Sequence, residues 1–193
     1  MRRGPGNRPR ASVGSLLVSE ESVVLIDEED RELGVGEKLA VHVSGQLHRA
    51  FSVFAFNPAG ELLLQRRALG KYHSPGLWTN SACGHPRPGE TTEAAAARRF
   101  REELGIDAGA LREVGILRYR AELADLVENE LDHLLVCEVS VDPDPDPDEV
   151  VEWRFVPVAE LDAWIARARE TEFTAWFPPA WEIVSPALPS SRA

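Results

Sequence analysis

Cysteine is scarce in this chain. Its 193 residues include two, Cys83 and Cys137. Two cannot staple a fold of this size, so the core has to hold by packing, and we expect a reducing, cytoplasmic setting. Long apolar runs are absent too: none approaches the roughly 20 residues that span a bilayer, so no membrane insertion is expected. Positive charge is in deficit, with 21 Lys and Arg against 32 Asp and Glu and a net charge of -11. A nucleic-acid surface needs a basic footprint, so we expect no nucleic-acid partner. A small anionic substrate stays compatible, because a few cations or a metal ion can converge locally. The N-terminus, MRRGPGNRPR, carries four arginines and no acid. The SVGSLL that follows is too short for a signal-peptide core and gives way to Ser19-Glu20-Glu21. Residues 1–20 are therefore expected to be a solvated, disordered tail.

What remains suffices for one domain, residues 21–185, followed by a loose tail at 186–193. Ser22–Asp27 and Glu32–Glu37 read as a hairpin. Lys38–Val43 is a second short apolar stretch, holding His42, and we expect hairpin pairing across the turn Ser44-Gly45-Gln46. Arg49–Phe56 and Glu61–Arg66 are strands joined by the turn Asn57-Pro58-Ala59-Gly60. Glu93–Leu104 is alanine-rich and helical, with Thr91 or Thr92 as N-cap and Gly105 at its end. Ala97, Phe100 and Leu104 are expected on its buried face. Leu111–Glu122, Val127–Val141 and Val150–Val156 read as strands. Val158–Arg169 is an amphipathic helix, and Trp181–Val184 a short final one. Asp142–Glu149, DPDPDPDE, is a loop, because proline blocks helix and ladder alike. Hairpins mixed with a few helices indicate an α+β or α/β sandwich, not a parallel doubly wound sheet.

Several residues can carry chemistry. His42, His48 and His85, with Glu128 and Glu130, would make a five-ligand nitrogen and oxygen site suited to Mn, Fe, Zn or Co. Glu128 and Glu130 face one side of a strand, and two carboxylates forced together need a cation or a shared proton. A lone histidine is more often structural than a ligand, and His73 is read that way. Cys83 lies in a polar loop before a helix. It is either a small buried residue or a reactive thiol whose pKa nearby cations and the helix N-terminus lower. Arg66, Arg67 and Lys71 suggest an anion site, the alternative being a solvated basic patch.

Gly84, Glu90, Arg98, Phe100, Glu102, Glu103, Gly105 and Ile106 stand at the spacing of the Nudix box, Gly-x5-Glu-x7-Arg-Glu-apolar-x-Glu-Glu-x-Gly-apolar. One fixed position departs: Arg99 replaces an acid. The segments Thr79-Asn80-Ser81-Ala82-Cys83-Gly84-His85-Pro86 and Glu128-Asn129-Glu130, together with Lys38 to His42, His48 to Ser52, Arg66 to Leu69 and Arg118 to Ala121, resemble the type 1 isopentenyl-diphosphate isomerases. The resemblance runs over about residues 22–184 and implies a Nudix fold: a mixed β-sheet between helices, with N-terminal β-hairpin additions. It implies interconversion of isopentenyl and dimethylallyl diphosphate. Cys83 and Glu130, with Tyr119, would be the acid-base groups on opposite faces of the alkene. His42, His48, His85, Glu128 and Glu130 would bind a first ion, Mn2+ or Zn2+, and Glu103 would bind Mg2+. Lys38, Arg67, Lys71 and Arg99 would contact the diphosphate, and the face of Trp181 would stabilise the cation. His42 and His48 stand six apart, where the family has seven. The substrate would be the only partner required, and the chain a monomer or homodimer. The alternative is a Nudix pyrophosphohydrolase, which Arg99 and Cys83 oppose.

Overall fold

In a computed structural model, residues 22–188 are described apart from Tyr72 and Ala124, together with all side chains in that span except those of Arg169 and Glu170. The tail expected at residues 1–20 and the last five residues lie outside this range.

Strand β3 (His48–Phe56) organises the sheet. It runs parallel to β8 (Leu126–Glu138) from His48↔Glu130 to Phe56↔Glu138. It meets β6 (Ala82–Gly84) at Phe51↔Gly84, Ser52↔Cys83 and Val53↔Ala82. At one end it touches β1 (Ser22–Ile26), and at the other it turns back into β4 (Glu61–Arg67). Strand β2 (Glu32–Glu37) closes the expected first hairpin on β1, β5 (Trp78–Thr79) and β9 (Val150–Pro157) flank β4, and β7 (Arg112–Leu123) flanks β8.

The central strands alternate two apolar faces, as a sheet covered on both sides requires. Phe51, Val53, Ala55, Leu63, Leu135 and Cys137 pack with Phe100 and Leu104 of α2 (Thr92–Leu104). Phe54, Leu62, Leu64, Leu134 and Val136 pack under α3 (Val158–Glu172) and α4 (Phe177–Val184). The mixed sheet between helices is the expected architecture.

Helix α2 begins and ends as expected. Thr91 caps it by accepting from the Ala94 N–H at 3.2 Å, and Gly105 ends it in the left-handed region, φ 68°. Its inner face differs by one residue. Ala95, Ala96, Phe100, Glu103 and Leu104 are buried, while Ala97 faces solvent.

The stretch Lys38–Val43 is a helix instead of a hairpin arm: α1 spans Lys38–Ser44. The Glu37 carboxylate accepts from the Leu39 and Ala40 N–H groups, and Gly45, φ 64°, terminates it. A short apolar run has no period of its own, and these two caps decide the outcome. The final helix starts at Phe177 instead of Trp181, because proline is tolerated in a first turn. Residues Ser185–Ala187 form a 3-10 turn, and Leu188 packs against the core, where a loose tail was expected.

Candidate active site

One row of side chains crosses three strands. Tyr119 on β7 stands opposite Glu130 on β8, which stands opposite His48 on β3. Helix α1 brings His42 to this row, and the end of β6 brings Cys83 and His85. A cavity of about 520 Å³ opens beside them, lined by Lys38, Arg67, Lys71, Cys83, Arg99 and Glu149 among others. That volume suits a small organic ligand.

The ring nitrogens are oriented by backbone. His42 Nδ1 lies 2.7 Å from the Lys38 carbonyl and His48 Nδ1 2.9 Å from that of Gln46. A carbonyl only accepts, so each Nδ1 carries a proton, and Nε2 is the ring nitrogen turned toward Glu130. His48 Nε2 sits 3.2 Å from His85 Nε2 and 3.3 Å from Glu130 Oε1. His85 Nε2 is 2.9 Å from the same oxygen and His42 Nε2 3.9 Å. Ligand atoms of these four residues all lie within 4.8 Å of one another. Lone pairs and a carboxylate converging at such distances repel unless a proton or cation stands between them. The donor set therefore fits a divalent ion, and the carbonyl contacts to the outer nitrogens are those of metal-bound imidazoles.

Glu128, the expected fifth ligand, is not brought into this group. Its Oε1 faces His73 Nδ1 at 3.2 Å, and Tyr119 Oη is 2.7 Å from both Glu128 Oε2 and Glu130 Oε2. One phenol proton cannot serve two carboxylates, so a second proton is required, and Glu128 is the group that carries it. Its burial and the adjacent Glu130 charge push its carboxyl up to about 8, against the Tyr119 hydrogen bond. Burial also acts to raise Glu130, but the His48 and His85 contacts outweigh it and hold that carboxyl well below its ordinary range. Burial pushes His85 and His73 down to about 3, with Arg67 adding to the effect on His73.

For Cys83 the sequence leaves two readings open. Burial, with Glu103 nearby, pushes its thiol up to about 12, and Arg67 offsets only part of this. The direction is opposite to the lowering that nearby cations and a helix N-terminus would give.

The four expected cations line the same cavity. Arg99 Nη2 is 2.6 Å from Glu103 Oε1 and 3.1 Å from Glu149 Oε2, while Nη1 is 2.9 Å from Glu102. Lys71 also binds Glu149. Arg67 donates to the His73 carbonyl at 3.3 Å and lies 5.4 Å over the Trp176 ring. Lys38 lines the cavity, its ammonium pKa lowered by burial and by Arg99. Glu103 is buried, with its second oxygen accepting from Gln65 at 2.6 Å. Gly84 permits this closeness: a Cβ there would stand 3.3 Å from Arg99 Cγ and from Phe51 Cζ.

Trp181 is not in the cavity. It packs in the core on Phe54, 6.3 Å between rings, and donates to Asp162 at 2.7 Å. Trp176 is the tryptophan lining the cavity, where His73 meets it edge-on at 5.7 Å. Sequence reasoning set His73 aside and missed Trp176 and Glu149. The signal for His73 was its place just after Arg67 and Lys71; nothing local distinguishes Trp176 from Trp181.

Comparison with known proteins follows the same lines. Residues 46–177 match the model of the NUDIX domain. An isopentenyl-diphosphate Delta-isomerase of Streptomyces griseus is 52% identical over 167 residues, 85% of this chain and 83% of that protein. One from Burkholderia multivorans is 48% identical over 82% of this chain and 89% of its own length. Among solved structures, a protein from Deinococcus radiodurans has the same fold at 22% identity, TM-score 0.69, covering 84% of this chain and 99% of that one. A MutT NUDIX hydrolase from Burkholderia pseudomallei does so at 20% identity and TM-score 0.58, over 72% and 98%. With this identity sustained over most of both chains, the protein belongs to the isopentenyl-diphosphate Delta-isomerase family, built on the NUDIX domain.

Proposed function

We propose that this enzyme interconverts isopentenyl diphosphate and dimethylallyl diphosphate. The observation that carries the reading is one cavity lined both by Cys83, Tyr119 and Glu130 and by Lys38, Arg67, Lys71 and Arg99. An unactivated alkene is a very weak base. Moving its double bond requires a proton delivered to the terminal carbon, a tertiary carbocation held away from water, and a proton removed from the carbon beside the diphosphate-bearing one.

Glu130, bridged to the Tyr119 hydroxyl, and Cys83 are the acid-base groups. In the forward direction the carboxyl side gives the proton and the sulfur takes one; in reverse the roles exchange. A protonated thiol beside an ionised Glu130 is the starting state for the reverse direction, because the sulfur then holds the proton to give. Substrate filling the cavity that both groups line would displace the water that would trap the cation. The aromatic face available beside it is that of Trp176, which replaces Trp181 in this role. His42, His48, His85 and Glu130 would hold one divalent ion, Mn2+ or Zn2+, and Glu103 would hold Mg2+. When bound, these ions supply positive charge that fixes and acidifies Glu130 and neutralises the diphosphate. Arg99 is why we favour isomerisation over diphosphate hydrolysis: it places a cation where the hydrolase pattern has a carboxylate. The small prenyl diphosphate is the only partner required. We place the reaction in the cytoplasm, in a catalytic unit spanning residues 21–185, as monomer or homodimer.

Purified protein supplied with magnesium should convert isopentenyl diphosphate to its dimethylallyl isomer, read by NMR. Phosphate release without isomer would support the pyrophosphohydrolase instead. Cys83→Ala should abolish turnover while circular dichroism and diphosphate binding stay unchanged.

A further inference from the structure

The acidic loop 142–149 has no part in the isomerase reading, yet it delivers one carboxylate into the cavity. The Asp144 N–H donates to the Leu104 carbonyl at 2.9 Å, and that of Asp146 to the Glu103 carbonyl at 3.1 Å, docking the loop on the end of α2. The Glu149 carbonyl accepts from the Ala68 N–H at 2.9 Å. From there the Glu149 side chain reaches two cations with one oxygen: Oε2 accepts from Lys71 Nζ and from Arg99 Nη2.

These are two of the cations that the diphosphate needs. Arg99 Nη2 has two hydrogens, and its carboxylate neighbours are Glu103 Oε1 and Glu149 Oε2. A phosphate oxygen that takes this nitrogen has to replace one of them. Glu103 is 3% exposed, and its other oxygen is held by Gln65. The Glu149 side chain is 21% exposed and stands at the end of a loop. It is the carboxylate that can leave, and a phosphate arriving beside it would repel it.

Resting on the diphosphate reading above, we propose that Glu149 is a resident counter-anion of the diphosphate grip. It is a positioning residue that keeps Lys71 and Arg99 convergent in the empty cavity and yields both to the incoming diphosphate. The shared carboxylate removes rotamer freedom from two long cationic side chains, but the ion pairs it makes have to be given up on binding, and that loss is the larger effect.

The test compares metal-loaded wild type with Glu149→Gln, using calorimetry of isopentenyl diphosphate and steady-state kinetics. Glutamine keeps the shape and removes the charge that has to be displaced. Its Kd should fall about five-fold, the scale of a part-exposed ion pair, and KM should fall with it while kcat is unchanged. A Kd that is unchanged or higher in the variant, with wild type binding normally, overturns the role of Glu149 alone. Wild type that binds no diphosphate overturns the isomerase reading as well. Hydrogen exchange on wild type gives a measure independent of the variant's folding. The Glu149 and Val150 N–H groups donate to the Asp146 carbonyl at 2.9 and 2.8 Å. Release of the side chain should speed their exchange when diphosphate binds, and slower exchange overturns the proposal.

Discussion

Glu128 and Glu130 are two residues apart on one strand, yet their surroundings divide them. Glu130 shares its Oε1 among three histidines, whereas Glu128 meets Tyr119 and His73. The same sheet face thus holds a carboxylate kept ionised and a carboxyl kept protonated at neutral pH. Glutamine mimics the protonated acid, so Glu128→Gln should keep most of the bound metal. Glu130→Gln removes the charge on which the imidazoles converge and should lose metal by 10-fold or more in affinity, about 1.4 kcal/mol. Elemental analysis after dialysis against a weak chelator separates the two; equal losses would restore Glu128 to the ligand set. His85→Ala should likewise lower bound metal, since its Nε2 lies against both His48 and Glu130.

At the scale of elements, the legible parts were those with a strong local signal. Helix α2 has alanines, a threonine cap and a terminal glycine, and it stands where its sequence puts it. The hairpins around Asn57–Gly60 and β1–β2 did likewise. Helix α1 was not legible, because KLAVHV has no period and its fate rests on one capping carboxylate and one glycine. The site shows the same division. Cys83, Glu130, Tyr119 and the three histidines lie on motifs that the family resemblance marks, and the sheet register and helix α1 bring them together. The choice between Trp176 and Trp181 depends on how α4 seats against the sheet, and the direction of the Cys83 pKa depends on burial. Neither is a property of a short stretch of chain. One element junction is testable directly. Gly105 has φ 68°, and a Cβ there would lie 2.1 Å from the Asp144 carbonyl oxygen. Gly105→Ala should therefore cost about 1–3 kcal/mol in urea denaturation. It should also shift the loop that carries Glu149, raising KM for the diphosphate. An unchanged denaturation midpoint would mean that loop and helix end can separate freely.

For the whole molecule, the burial of the site sets how stability depends on pH. In metal-stripped protein His85 and His73 have pKa values of about 3, against an ordinary 6.5. The unfolded chain then protonates first, so the stability these groups allow is complete above pH 6.5 and is lost as pH falls below it. Glu128 acts in the opposite sense. Its folded value of about 8 lies above the ordinary 4.5, so it gives up its proton on unfolding, and its effect weakens the fold as pH rises from 4.5 to 8. Between pH 4.5 and 6.5, the lowered imidazoles of His85, His73 and His42 oppose the raised carboxyls of Glu128 and Asp132. Unfolding takes up about one net proton, and stability should fall toward acid by about 1.4 kcal/mol per pH unit. Above pH 6.5 the raised carboxyls of Glu128 and Asp132 act unopposed and the slope reverses, which puts the maximum near pH 6.5. Urea titrations in chelator across pH 5–8 would trace this curve. A profile flat below pH 6.5 would mean that the buried imidazoles protonate as readily in the folded chain as in the unfolded one. Added metal should raise the whole curve and steepen its acid limb, because the ligands bind it only when deprotonated.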